Sequence, residues 1–274
     1  MNMERYCVFV FGSEESGKGE FLVENGRYLL ENKRRFYIIN LDPFSQLFND
    51  YDCNINDFLH KEGNVKEFDN ILYDIISIVC DEEWFDREVL GRDSSYIILN
   101  FPGAISMFYY NSFVKSIFNM FKRKKFMVCG LCLYNAAIIN YPKDYFSLAL
   151  QDIAAYPSIY FPKVSALINT SSCSHKQMEM LTDVALIEPR DLINSLTPLD
   201  SIQNISSSAV DLIINSPFQP FYLISPITKM SLYLLNEEID SKLNYAEVPN
   251  EDEFSVCECL KDSSSSTEEF EFYT

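Results

Sequence analysis

The stretch VFVFGSEESGKG, Val8–Gly19, decides how this chain folds. An apolar, β-rich run ends on Gly12. Ser13, Glu14, Glu15 and Ser16 follow, and then Gly17 and Lys18. This is the GxxxxGK spacing of a phosphate-binding loop, set between a strand and a helix. Backbone N–H groups at the start of such a helix face phosphate oxygens, and the helix dipole adds a favourable potential. The glycines at 12 and 17 allow the tight wrap, and Lys18 is placed to reach the β- and γ-phosphates. The pattern asks next for Ser or Thr, whose hydroxyl normally binds Mg²⁺. Gly19 stands there instead. Glu14 and Glu15 put two carboxylates inside the loop, where like charge costs anion affinity unless they point away. Glu20, one residue on, is a candidate to approach a metal.

Outward from the loop, apolar runs recur at Tyr6–Phe11, Phe36–Asn40, Tyr96–Leu99, Phe126–Leu133 and Val164–Ile168. They are continuous rather than alternating, as strands buried on both faces should be. Helix patterns lie between them, over 18–32, 66–80, 107–122, 142–156 and 174–182. Alternation of this kind predicts an α/β fold, a mostly parallel sheet with helices on both faces. Beyond residue 183, the stretch 189–204 reads as a short helix with connectors and Phe218–Leu223 as a last strand. Ile227–Leu243 reads as a helix with Leu232, Leu235 and Ile239 on one face. From Glu247 to Thr274 there are nine acidic residues and one lysine. Such a segment buries too little apolar surface to order itself, so a disordered acidic tail is expected over 247–274.

Composition narrows the function. The 274 residues carry a net charge of -18, and hydrophobic residues make up 47%. A phosphate-tracking nucleic-acid surface needs a basic stripe, and none is present, so no direct nucleic-acid partner is expected. The best basic run, Lys122–Lys125, fits a solvated helix C-terminus. No apolar run is long enough for a membrane span. Eight scattered cysteines without a leader-like N-terminus fit a reducing cytosol or nucleus. Cys129 and Cys132 have zinc-type spacing, but they sit inside an apolar run without a second pair and read as core strand.

Two further sites carry chemistry. NLDP, Asn40–Pro43, follows the second strand run, and a carboxylate there faces the ligand edge of an open sheet. Asp42 could hold Mg²⁺ through water or orient an attacking water; a plain turn Asp before Pro is the alternative. YIILNFPG, Tyr96–Gly103, ends a strand where many GTPases place a Mg²⁺-coordinating Asp and a γ-phosphate-sensing Gly. Here those positions are Asn100 and Gly103, and an amide is a weaker ligand for a hard cation than a carboxylate.

Together, in this order, the three sites resemble the GPN-loop GTPases, dimeric members of the P-loop NTPase class. The likeness runs over almost the whole chain and favours the third eukaryotic paralogue. LDPFSQLFN, Leu41–Asn49, is similar to that paralogue's LDPAAEHFN, and FMVCG, Phe126–Gly130, to its FRVCG. The resemblance implies a P-loop domain over 1–246, with a GPN-type insert near 55–90. It implies GTP and Mg²⁺ as cofactors, slow hydrolysis, and pairing with another GPN-loop paralogue or with itself. It further implies work in the assembly or nuclear import of RNA polymerase II, in the cytoplasm with shuttling to the nucleus. Several motif positions differ. Gly63-Asn64-Val65 stands where Gly-Pro-Asn belongs, leaving Asn64 as the residue to reach a partner's site. Asn169-Thr170-Ser171 stands where a Lys-x-Asp would read guanine. With Gly19 and Asn100, these departures keep a second expectation open: a pseudo-GTPase that serves as the structural half of a heterodimer.

Overall fold

The computed structural model describes residues 4–13, 16–45, 51–59, 68–92, 95–103, 111–135, 161–168, 186–187, 221–224 and 228–245. By its contacts, Met1–Leu243 is one compact unit, and it contains every helix and strand described. The strands are β1 (Arg5–Gly12), β2 (Tyr37–Asn40), β3 (Cys53–Asn54), β4 (Tyr96–Asn100), β5 (Phe126–Asn135), β6 (Lys163–Ile168), β7 (Leu186–Ile187) and β8 (Phe221–Ile224). They form one sheet in the order β3-β2-β4-β1-β5-β6-β8-β7. Every neighbouring pair is parallel except β7 with β8. The helices are α1 (Lys18–Glu31), α2 (Phe68–Val79), α3 (Glu82–Phe85), α4 (Asn111–Arg123) and α5 (Lys229–Leu243). None is long and apolar enough to cross a membrane, among the described residues.

The sheet is covered on both faces, as the continuous apolar runs predict. Along β1, side chains alternate between faces. Cys7, Phe9 and Phe11 join one core with Leu72, Ile75 and Val79 of α2, Trp84 and Phe85 of α3, and Ile117 and Phe121 of α4. Aromatic rings pack through that core: Phe9 meets Phe101 at 5.0 Å in a tilted pair and Phe121 edge-on at 5.4 Å between ring centroids, and Phe85 meets Phe121 edge-on at 4.9 Å. Contacts of this kind add about 0.5–1.5 kcal/mol each beyond the area they bury. Tyr6, Val8 and Val10 are buried on the opposite face, and there α1 and α5 pack together. Asn236 Nδ2 donates to Asn25 Oδ1 at 2.7 Å, and Lys229 pairs with Glu31 at 2.6 Å.

A third link fixes α5. Arg34, just past α1, donates to both carboxylate oxygens of Asp240, at 2.9 and 2.6 Å. Its guanidinium lies 4.1 Å from the centre of the Tyr96 ring. Burial pushes the Asp240 carboxyl up, and the Arg34 guanidinium opposes that shift. Desolvation prevails over the partner's pull.

The strands expected from the sequence are present with ends shifted by a few residues. The last begins at Phe221 and runs to Ile224. The helix expected over 66–80 is α2, that over 107–122 overlaps α4, which ends one residue later, and that over 227–243 contains α5. Lys122 and Arg123 close the last turn of α4, as read from the basic run, and Lys124 reaches Asp86 at 2.7 Å. Helices expected over 142–156, 174–182 and 189–204, and the tail over 247–274, lie outside the described residues. The sequence reading missed β3, β7, α3 and the one-turn π-helix Asp86–Leu90 that continues α3. Cys129 and Cys132 are both buried in β5. Three apart on a strand, they point to opposite faces of the sheet, which prevents joint ligation of one metal.

Candidate functional site

The site begins where β1 stops. Gly17 caps α1 in the left-handed region, φ 81 and ψ 17, which a side chain disfavours. Gly12 is held tightly: a Cβ there would lie 2.4 Å from Ser16 Oγ and 2.7 Å from the Leu133 carbonyl oxygen. Buried Ser16 closes the loop on itself, its Oγ and its N–H both donating to the Ser13 carbonyl at 2.7 and 3.1 Å. No side chain caps α1. Its first-turn N–H groups lack helical partners and carry the positive end of the dipole. Ser13 and Glu20 are exposed, and Gly19 is half-buried on the first turn. Glu14 and Glu15 lie outside the described residues.

Lys18 ties the loop to its neighbours. Its side chain is 7% exposed. Its Nζ donates to the Phe101 carbonyl oxygen at 2.8 Å, beyond the end of β4, and lies 3.7 Å from Asp42 Oδ2. Asp42 Oδ2 also accepts the Gly103 N–H at 3.2 Å, and Oδ1 accepts the Phe44 N–H at 3.1 Å. The sheet order explains the meeting. β4 lies between β1 and β2, so the C-terminal ends of three adjacent parallel strands bring Lys18, Phe101 with Gly103, and Asp42 together.

A layer of amides underlies the carboxylate. Asn40 Oδ1 accepts from the Asp42 N–H at 3.1 Å and from Asn100 Nδ2 at 2.8 Å. Asn40 Nδ2 donates to the Asp42 carbonyl at 2.9 Å. Tyr51 OH lies 3.4 Å from Asn100 Nδ2 and 3.2 Å from Ser45 Oγ, and burial raises its phenol above the ordinary value. Asn100 Oδ1 is buried without a hydrogen-bond partner.

The structure therefore joins four of the sequence-predicted residues, Lys18, Asp42, Asn100 and Gly103, beside the Gly12–Gly17 loop. Asn64, Asn169 and Ser171 lie outside the described residues. Asn40, Tyr51 and the Phe101 carbonyl were missed by the sequence reading. Asn40 had a signal, as a polar residue closing an apolar strand inside NLDP. Tyr51 had none.

The loop fits an anionic phosphate group. Lys18 and the N-terminus of α1 supply positive potential, and Gly12 and Gly17 hold the backbone in the required curve. Mg²⁺ ligated by this chain fits poorly. That ion takes six hard oxygens in near-octahedral geometry, with carboxylates or hydroxyls from the protein. Position 19 has no side chain, position 100 offers a neutral amide, and both Asp42 oxygens already accept from the chain's own donors. Among the described residues, no three His, Cys, Asp or Glu side chains cluster as a metal site.

A parallel sheet with a glycine-rich loop and lysine at its first strand–helix junction defines a P-loop nucleotide-binding protein. A family model described as "Conserved hypothetical ATP binding protein" matches residues 10–245. GPN-loop GTPase 3 of Dictyostelium discoideum is 21% identical over 262 residues, covering 89% of each chain. GPN-loop GTPase 2 of Schizosaccharomyces pombe is 24% identical over 257 residues, covering 88% of this chain and 81% of the relative. An apo-form GTPase from Pyrococcus abyssi superposes with a TM-score of 0.62 at 18% identity, over 86% of this chain and 97% of that one. The chain belongs to the GPN-loop GTPase family.

Proposed function

We propose that this chain binds GTP through the Gly12–Lys18 loop, hydrolyses it slowly, and works in the assembly or nuclear import of RNA polymerase II. It would pair with another GPN-loop protein or with a second copy of itself, in the cytoplasm with shuttling to the nucleus. The observation that carries the nucleotide part is Lys18, buried at the loop and in reach of both Asp42 and the segment that holds Gly103. A phosphate group at the loop would compete with the Asp42 carboxylate for the same ammonium and for the Gly103 N–H. Occupancy of the loop would thereby be felt at the ends of β2 and β4, where Asp42 and Gly103 sit. Such a coupling is what a nucleotide switch requires. The polymerase role and the pairing rest on family membership alone.

A second reading is favoured by Gly19 and Asn100. Hydrolysis of phosphoanhydrides depends on a metal and positioned charge, and both positions have lost the group that would help. In that reading the chain is a pseudo-GTPase, the structural half of a heterodimer whose partner turns over nucleotide. One experiment addresses both. The full chain is co-expressed with a GPN-loop paralogue, purified, and assayed for phosphate release from GTP, with Lys18→Ala beside it. Release lost in Lys18→Ala supports the switch. Co-purification with release unchanged in that variant supports the second reading. Failure to co-purify, with no polymerase subunit captured from cells, removes the pairing with that paralogue and the polymerase role.

A further inference from the structure

We propose that nucleotide binding by this chain is independent of Mg²⁺, the phosphates being held by the loop and Lys18 alone. The inference rests on the nucleotide-binding reading and adds a requirement that reading leaves open. It follows from three positions at which a protein of this fold would reach a phosphate-bound ion. On the first turn of α1, Gly19 presents only a hydrogen, so no side-chain oxygen leaves the helix toward the phosphates. At the end of β4, Asn100 directs its Nδ2 to Asn40 Oδ1 at 2.8 Å. An N–H₂ group repels a cation, and the remaining Oδ1 carries no net charge. That oxygen is buried and unpartnered. What it lacks is a hydrogen-bond donor, which a single ordered water supplies without any metal. At the end of β2, Asp42 is the carboxylate that pairs with Lys18, and it is turned inward. Oδ2 faces the Lys18 ammonium and the Gly103 N–H, and Oδ1 faces the Phe44 N–H. To serve a metal it would have to give up three donors, one of them charged.

Mg²⁺ surrenders its waters reluctantly and is usually held through one or two carboxylates plus substrate phosphates. Among the described residues, positions 19, 42 and 100 offer it neither a free carboxylate nor a hydroxyl, so the site gains little by admitting it. The positive charge that the phosphates need comes instead from the chain, through Lys18 and the dipole of a fourteen-residue helix with no side-chain cap. Two substitutions would restore a place for the metal. Gly19→Ser returns the hydroxyl. Asn100→Asp returns a carboxylate at the end of β4.

The test uses the full chain and a fluorescent, non-hydrolysable GTP analogue, titrated in millimolar Mg²⁺ and in EDTA at matched ionic strength. The dissociation constants are expected to agree within about threefold, well short of the tenfold step that a single good ionic contact supplies. Binding at least about tenfold weaker in EDTA overturns the inference while leaving the nucleotide-binding reading intact. Absence of binding in both buffers, in protein shown to be folded by circular dichroism, overturns the reading and the inference together. The Gly19→Ser/Asn100→Asp variant provides the converse test. It is expected to bind at least about tenfold tighter in Mg²⁺ than in EDTA. Equal binding in the two buffers by a folded double variant would show that these positions do not set the metal requirement.

Discussion

Replacing Arg34 by Met tests how α5 is held against the helix that carries the phosphate loop. Arg34 is 4% exposed, and its partner Asp240 is 15% exposed. Both forks of the guanidinium are used, and its face lies against Tyr96. Met keeps most of the stem, so packing is largely preserved and the charge is removed. Stranding one member of a buried pair costs about 3–5 kcal/mol, a large part of the roughly 5–15 kcal/mol that holds a domain together. The loss should depend on pH. Burial outweighs Arg34 and holds the Asp240 carboxyl above its ordinary value. A folded value above the unfolded one gives a contribution that is present in acid and lost as pH rises through the folded value. Without Arg34 the carboxyl moves further up, so the variant should fall away from wild type as pH rises toward neutrality and recover as Asp240 takes a proton. The single tryptophan, Trp84, is buried and reports unfolding in urea by its fluorescence. Curves at neutral and at mildly acidic pH give the two differences. An Arg34→Met/Asp240→Leu pair should regain most of the loss, since matched apolar replacement of a buried pair is often neutral. A neutral-pH difference below about 1 kcal/mol, the range of an exposed pair, or one that does not shrink in acid, would refute the reasoning.

Two shorter predictions concern the loop and the thiols. Gly12→Ala would press a methyl against Ser16 Oγ and the Leu133 carbonyl; the hydroxyl can swing but the backbone cannot. Overpacking of this kind costs about 1–3 kcal/mol, so the melting temperature should drop and nucleotide affinity should fall by about tenfold or more. Unchanged affinity would show that the loop does not hold the ligand. Cys7, Cys53 and Cys129 are buried, and burial pushes the thiols of Cys53 and Cys129 up to about 12 and that of Cys7 well above its ordinary value. Thiolate is the reactive form, so these three should resist a thiol reagent at mildly alkaline pH until urea unfolds the chain. Rapid labelling of any of them in the native protein, located by mass spectrometry, would contradict the buried placement.

How much of this was legible in the sequence depends on the range over which each feature is written. The strand, loop and helix around Gly12–Lys18 form one contiguous signal, and apolar continuity declares the long parallel strands before any pairing is known. β3 and β7 are two residues each, too short for any periodicity to register. They exist because β2 and β8 offer an edge. The short α3 follows Asp81, whose side chain accepts the Trp84 N–H at 2.8 Å, a cap that is visible only once the helix is suspected. The site divides the same way. Lys18, Asp42, Asn100 and Gly103 are each marked by a local motif, so their roles could be anticipated separately. Their meeting could not, because it depends on β4 lying between β1 and β2. The contacts Lys18 makes with Asp42 and Phe101 are products of that strand order. Arg34 and Asp240 are separated by most of the chain and carry no local signal at all.

The central claim is that the loop at Gly12–Lys18 still holds a nucleotide. Calorimetric titration of the purified chain with a non-hydrolysable GTP analogue, beside an ATP analogue and the Lys18→Ala variant, tests it most directly. The account predicts saturable binding of the GTP analogue that Lys18→Ala removes while its circular dichroism stays close to wild type at the temperature of the titration. No heat of binding from folded wild-type protein, or equal binding by folded Lys18→Ala, would contradict it.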